Sequence, residues 1–217
     1  MTSRTRAALF LVLLSLLAVY SLAANAFSLF GREAPKIVNA RSSVGPSDMT
    51  NSTNPDSSPL HLELPGARLV VMKSHRKLLV YDGSTLLRTY HIALGPNPMG
   101  AKERQGDGRT PEGEYYVCSK NPKSQYYLSL GLSYPNVQDA ARGLRSGSID
   151  KHQHDEIVRA IRSHERPDWY SALGGEIFIH GGGTGRDWTI GCIALDNHDI
   201  KELFDAAPRG LPVTIKP

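Results

Sequence analysis

His180 and Cys192 lie on either side of one glycine-rich stretch, Gly181-Gly182-Gly183-Thr184-Gly185. A thiol and an imidazole that a single loop can bring together are the minimal equipment of a nucleophile and its base. An unperturbed His titrates near about 6.5 and a free thiol near about 8.5, so the imidazole is the natural proton acceptor. An imidazolium beside the sulfur would in turn lower the thiol pKa. Gly191, directly before the Cys, lets the backbone approach a substrate closely. Its neighbours can aim amide groups at one spot, as an oxyanion hole requires. Thr189 is placed to orient the His or to support the loop, and Gly181 follows the base directly. Arg186, Asp187 and Trp188 flank the nucleophile and are candidates for holding a substrate, although Trp188 would serve equally as a packed lid. His91, far upstream at the end of a strand-like run, is a further candidate for the same cleft.

Each of these has a plainer alternative. Cys192 could be an inert packed thiol, His180 a satisfied core residue and His91 a surface residue. Cys118 sits in a strand-like run and reads as core, as do Tyr126, Tyr127 and Tyr134. The chain has only two cysteines, which excludes a disulfide scaffold; a single Cys118–Cys192 bridge would silence the candidate nucleophile. His152, His154 and His164 cluster on a polar helix and read as a solvated face. No HExxH, no CxxC pair and no second ligand set accompany them, so neither a metal nor a cofactor is expected.

The elements that must position the pair follow from patterning. Ala67–Met72, Lys77–Tyr81 and Leu86–Leu94 read as strands joined by the polar turn Lys73-Ser74-His75-Arg76 and by Asp82-Gly83. Close hairpins of this kind imply an antiparallel sheet. Gly95–Gly113 reads as a long loop, then Glu114–Cys118 and Tyr126–Leu130 as further strands. Val137–Leu144 and a segment from a Ser148 cap to about His164 read as helices, the second with an Ile157/Ile161 stripe and a stop at Arg166-Pro167. Ile177-Phe178-Ile179 is a buried strand leading to His180. Asn197 is the expected cap of a helix over Asp199–Ala206, and Leu211–Ile215 is a last strand. The expectation is a mainly β fold with short helices inserted late.

Three segments are expected. Residues 1–26 carry Arg4 and Arg6, an apolar run from Ala7 to Ala24 and the triplet Ala24-Asn25-Ala26, the pattern of an export signal. At about 18 residues the run is also long enough to remain in the bilayer as an anchor. Residues 27–66 are rich in Ser, Asn, Pro and Thr and read as a flexible linker, with a glycosylation-type triplet at Asn51-Ser52-Thr53. Residues 67–217 are the folded domain; 40% of the whole chain is apolar, enough for one sizeable core. The net charge of +4 has no Lys/Arg run behind it, which gives no case for nucleic acid. The protein is expected outside the cytoplasm, in the periplasm or cell envelope.

His180-Gly181 followed by Thr189-x-Gly191-Cys192-Ile193 resembles the L,D-transpeptidase catalytic domain, also called the YkuD or ErfK/YbiS/YcfS/YnhG domain. Gly95 and Thr110-Pro111-x-Gly113 match its upstream segments, and Leu128–Asn136 and Ala194 look like its YafK-like branch. The resemblance covers roughly Ala67 to Ile215 and implies a YkuD-like β-sandwich with short inserted helices. It also implies that the Cys192 thiolate attacks the diaminopimelate carbonyl of a peptidoglycan stem peptide and releases a terminal D-Ala. An amine on a second diaminopimelate or on a lipoprotein lysine then takes the thioester, and carbapenems acylate the same Cys. Two positions depart from the family pattern. Ile190 stands where many members carry a second His, and Ala194 where many carry Arg or Asn. These departures leave the nucleophile and base in place but motivate one alternative, a hydrolase of the same diaminopimelate linkage; a non-catalytic wall-associated module anchored by the N-terminus is a further alternative.

Overall fold

A computed structural model describes residues 58–217. The expected export segment, most of the linker and Asn51 lie outside the described residues. Among the described residues, eight strands and three helices follow in chain order: β1 (Ala67–Met72), β2 (Lys77–Asp82), β3 (Thr85–His91), β4 (Gly113–Ser124), β5 (Tyr127–Leu132), α1 (Val137–Arg145), α2 (Lys151–Arg162), β6 (Phe178–His180), β7 (Ile193–Ala194), α3 (Asn197–Ala206) and β8 (Pro212–Lys216). The strands form one sheet in the order β3-β2-β1-β8-β4-β5-β6-β7. The β1–β8 and β6–β7 pairs are parallel and the others antiparallel. An antiparallel bridge between Ala93 and Ala194 joins the stretch after β3 to β7, so the two ends of the sheet meet.

Why the sheet folds over is visible in its side chains. β1 alternates buried and half-buried residues, and the inward set Leu69 and Val71 meets Leu78 and Val80 of β2. Val117, Leu130, Ile179, Ile193, Val213 and Ile215 from the other strands complete one apolar cluster. Fully burying each such side chain contributes roughly 1.5–3 kcal/mol. The fold is the expected mainly β one, with both halves of the sheet facing a common core. Leu60 and Leu62, within the stretch read as linker, join that core, so ordered packing starts before β1. A small satellite core of Ala140, Ile149, Ile157 and Leu173 holds α1 and α2.

Three local features differ from expectation. Helix α2 begins at Lys151 with Asp150 as its cap, not Ser148. Asp150 accepts from Gln153 N, and the Gln153 side chain accepts in return from Asp150 N. This reciprocal box satisfies two orphan amides and outcompetes a lone Ser. Helix α3 begins at Asn197, with Asp196 at the cap position and no side-chain cap bond. The side chains of both residues are engaged by the glycine loop instead. Lys73, expected in a polar turn, is almost fully buried. Its ammonium donates to Gly100 O at 2.7 Å, to Thr110 O at 3.0 Å and to Glu112 Oε1 at 2.7 Å. A buried ammonium requires such partners, and here they tie the β1–β2 turn to the long loop before β4.

Candidate active site

The parallel pairing of β6 with β7 sets the site. Ile179 lies opposite Ile193 and His180 opposite Ala194. Extending that register one residue back puts Phe178 beside Cys192. Side chains alternate along strands, so Ile179 and Ile193 turn into the core, while Phe178, His180 and Cys192 share the other face. Phe178 N donates to Cys192 Sγ at 3.5 Å, and Sγ–H donates to Glu176 O at 3.5 Å. His180 and Cys192 line one cleft of about 340 Å³ together with Asn121, Ser124, Gln125, Tyr126, Ser129, Glu176 and Phe178.

The imidazole is held from three sides. Its Nδ1 lies 2.6 Å from Gly181 O, an acceptor, so Nδ1 carries the proton and Nε2 keeps a lone pair. Tyr126 stacks on the ring at a centroid distance of 4.6 Å, and Trp188 meets it edge-on at 5.5 Å. His180 is almost fully buried, and that burial lowers its pKa against the raising effect of the Gly181 carbonyl. Burial likewise pushes the Cys192 thiol up to about 11, with the Phe178 amide opposing. The resting pair is therefore a neutral imidazole and a neutral thiol, not an ion pair. A base of this kind takes the thiol proton as the sulfur attacks.

The loop between them is pinned by the start of α3. Asn197 Oδ1 accepts from Gly182 N at 2.9 Å, and Asp196 Oδ1 accepts from Thr184 N at 3.1 Å. Gly183 N donates to Leu195 O, and Trp188 Nε1 donates to Gly183 O at 3.0 Å. Gly181 has no room for a side chain: a Cβ there would lie 2.5 Å from Asn197 Oδ1. Gly191 adopts φ +121°, and a Cβ would meet Arg109 O at 2.6 Å. Thr189 braces this turn, donating from its hydroxyl to Cys192 O at 2.8 Å and accepting from Gly191 N at 3.3 Å. It contacts the loop and not the imidazole. Among the described residues the Cys192 amide donates to no acceptor.

Other residues singled out from sequence fall elsewhere. Arg186 and Trp188 line a neighbouring hollow, separated from the Cys192 cleft by Tyr126, which lines both. Asp187 is a clasp: it pairs with Arg76 at 2.7 Å and accepts from Leu94 N at 2.9 Å. His91 is exposed at the end of β3 and lines neither hollow. Cys118 and Cys192 are both free. Among the described residues no group of three His, Cys, Asp or Glu side chains could hold a metal. Tyr134 is core, as expected, but Tyr126 is part of the site. Tyr126 and Glu176 were the functional-face residues that pattern did not reveal. Neither belongs to a motif, and both reach the cleft only through the β5–β6 pairing.

Known proteins resemble this chain at the level of family. YafK of Escherichia coli (strain K12), to which an L,D-transpeptidase activity is provisionally assigned, is 28% identical over 163 residues, 71% of this chain and 53% of that protein. The chain thus spans about half the length of the curated relatives it matches. The helical cell shape determining protein Pgp2 of Campylobacter jejuni aligns at 23% identity and a TM-score of 0.46, covering 69% of this chain and 47% of that one. An L,D-transpeptidase from Xylanimonas cellulosilytica aligns at 18% identity and a TM-score of 0.42, covering 70% and 60%. The YkuD family model, described as the L,D-transpeptidase catalytic domain, matches residues 66–215, and the chain belongs to that family.

Proposed function

We propose that this protein is an exported cysteine L,D-transpeptidase that acts on peptidoglycan stem peptides through a Cys192 thioester. The observation that carries the reading is His180 Nδ1 committed to Gly181 O in the cleft that also holds Cys192. With Nδ1 protonated, Nε2 is the nitrogen left to accept the thiol proton. Sγ then bonds to the peptide carbonyl carbon, and the Cys192 amide, which has no acceptor of its own among the described residues, is the donor for the developing oxyanion. His180 returns its proton to the departing amine of D-Ala, leaving an acyl-enzyme. A second amine, on another stem peptide or on a lipoprotein lysine, attacks that thioester and releases Cys192. The N-terminal apolar run supports export and attachment to the membrane or release into the periplasm. Attack by water in place of an amine would make the same site a hydrolase. The exposed Ile190, where family members often carry a polar His, supports that second reading.

The test is intact-mass measurement of the full chain after incubation with a carbapenem, then with purified stem peptides with and without an amine acceptor. The reading expects one adduct, absent in Cys192→Ser, and a transfer product that depends on the amine. An equal adduct on Cys192→Ser refutes the thioester; hydrolysis alone in the presence of amine assigns the hydrolase.

A further inference from the structure

Glu176 is the only carboxylate among the described residues lining the Cys192 cleft. Its carboxylate makes no ion pair and accepts no hydrogen bond among the described residues, and the residue is exposed. Its backbone sits at φ +53°, a region that costs a non-glycine residue energy. Gly174 and Gly175 precede it, and a Cβ on Gly175 would lie 2.3 Å from Trp169 Cα. The segment is thus packed hard against its neighbours, and a third glycine would relieve the strain at 176. A carboxylate is kept there instead. Its carbonyl accepts from the Cys192 thiol at 3.5 Å, so the residue is fixed at the nucleophile. Its charge disfavours a thiolate at Cys192, working in the same direction as burial. A negative group in that position hinders activation of the sulfur, while it suits a cation brought to the sulfur.

We propose that Glu176 is the subsite for a primary ammonium group of a peptide substrate, a proposal that rests on the thioester reading. Two peptides could supply the ammonium: the one that forms the thioester, through its side chain, or the one that resolves it. In the second case Glu176 holds the incoming ammonium beside the acyl carbon. One proton leaves the nitrogen for solvent before attack. The neutral nitrogen then bonds to the carbon, the C–S bond breaks, and the second proton passes through His180 to sulfur. Products are an amide, the free thiol and one released proton, so the step balances without a further reactant.

The experiment compares full-length wild type with Glu176→Gln and Glu176→Gly, both checked for a thermal midpoint no lower than that of wild type. One arm measures acyl-enzyme formation by rapid quench and intact mass, using stem peptides whose side-chain amine is free or acetylated. The other arm isolates the acyl-enzyme and measures its partition between an amine and water. Both variants are expected to lose about tenfold or more in one of these two ratios, the scale of one charge-assisted hydrogen bond. Loss of the free-to-acetylated preference assigns the thioester-forming peptide, and loss of the amine-to-water ratio assigns the resolving one. Both ratios within about twofold of wild type would overturn the Glu176 subsite while the thioester reading stood. Failure of the wild type to form any acyl-enzyme would overturn both.

Discussion

Arg76 and Asp187 join the first turn of the sheet to the segment that carries Trp188 and Thr189. The guanidinium meets the carboxylate through Nη2 at 2.7 Å and Nε at 3.1 Å, and Leu94 N donates to the same carboxylate at 2.9 Å. Trp188 N and Thr189 N in turn both donate to Leu94 O. The clasp therefore fixes the edge-on ring over His180 and the brace under Gly191 from one side. Burial opposes ionisation of Asp187, but the Arg76 guanidinium and the Leu94 amide outweigh it and hold the carboxyl below its ordinary value of 3.8.

Asp187→Ala should accordingly cost about 1–3 kcal/mol of stability at neutral pH, because it leaves a guanidinium and an amide without their acceptor. The sign of the pH dependence is fixed by the lowered pKa. The wild-type advantage is full above 3.8, the unfolded value, and shrinks as pH falls below it. Urea denaturation of both proteins at pH 7 and near pH 3 checks this. A gap that does not narrow in acid would mean the carboxylate charge is not what the clasp uses.

The neutral resting state of the dyad gives a second test. Burial lowers the His180 pKa from 6.5, so the imidazole stays a free base to lower pH than an exposed His. The acid limb of carbapenem acylation is expected below pH 6.5 and the rate to be flat through neutrality. Alkylation of Cys192 by iodoacetamide, which needs thiolate and no general base, should keep rising toward the thiol value of about 11. An alkylation plateau by pH 8 would show an ion pair in place of the neutral dyad.

The parts of this arrangement that sequence made legible are those set by local pattern. The apolar, β-branched-rich runs Ala67–Met72 and Lys77–Tyr81 yield β1 and all but the last residue of β2 directly, and Ile177–Ile179 leading to His180 yields β6, while the two-residue β7 is too short to leave a pattern. What stayed hidden depends on contacts distant in sequence. Asn197 looked like a helix cap because Asn is a good one, yet its carbonyl oxygen receives Gly182 N. Lys73 looked solvated because nothing nearby pairs with it; its partners lie 27 to 39 residues on. Tyr126 looked like core because aromatic residues next to a strand usually are. It is 39% exposed, and its ring is spent on the imidazole.

Tyr126 shields His180 by stacking and also meets Trp188 at 5.3 Å. Tyr126→Ala removes a face of that enclosure and lets water reach the ring, so the His180 pKa should rise toward 6.5. The acid limb of acylation should then move to higher pH, while Tyr126→Phe, which keeps the ring, leaves it in place. Acylation–pH profiles of the two variants separate the shielding role from loss of a hydroxyl contact to substrate, which would show instead as a matched effect of both substitutions.

Lys73 reaches the site only through the loop it holds. Its ammonium gathers Gly100 O, Thr110 O and Glu112, and Arg109 O, next to Thr110, is the atom a Gly191 Cβ would strike. Burial lowers the Lys73 pKa while the Glu112 hydrogen bond and charge raise it, so the loop is held by one costly but satisfied cation. Lys73→Met removes the charge and leaves Glu112, 21% exposed at its side chain, without a partner. A cost of about 2–4 kcal/mol is expected, below the full penalty of a completely buried orphan charge because Glu112 reaches water. Thermal denaturation measures that cost. Acylation of the folded variant should fall as well, since the backbone wall behind Gly191 loses its anchor. A variant that loses stability but acylates at the wild-type rate would show that Arg109 keeps its place without Lys73.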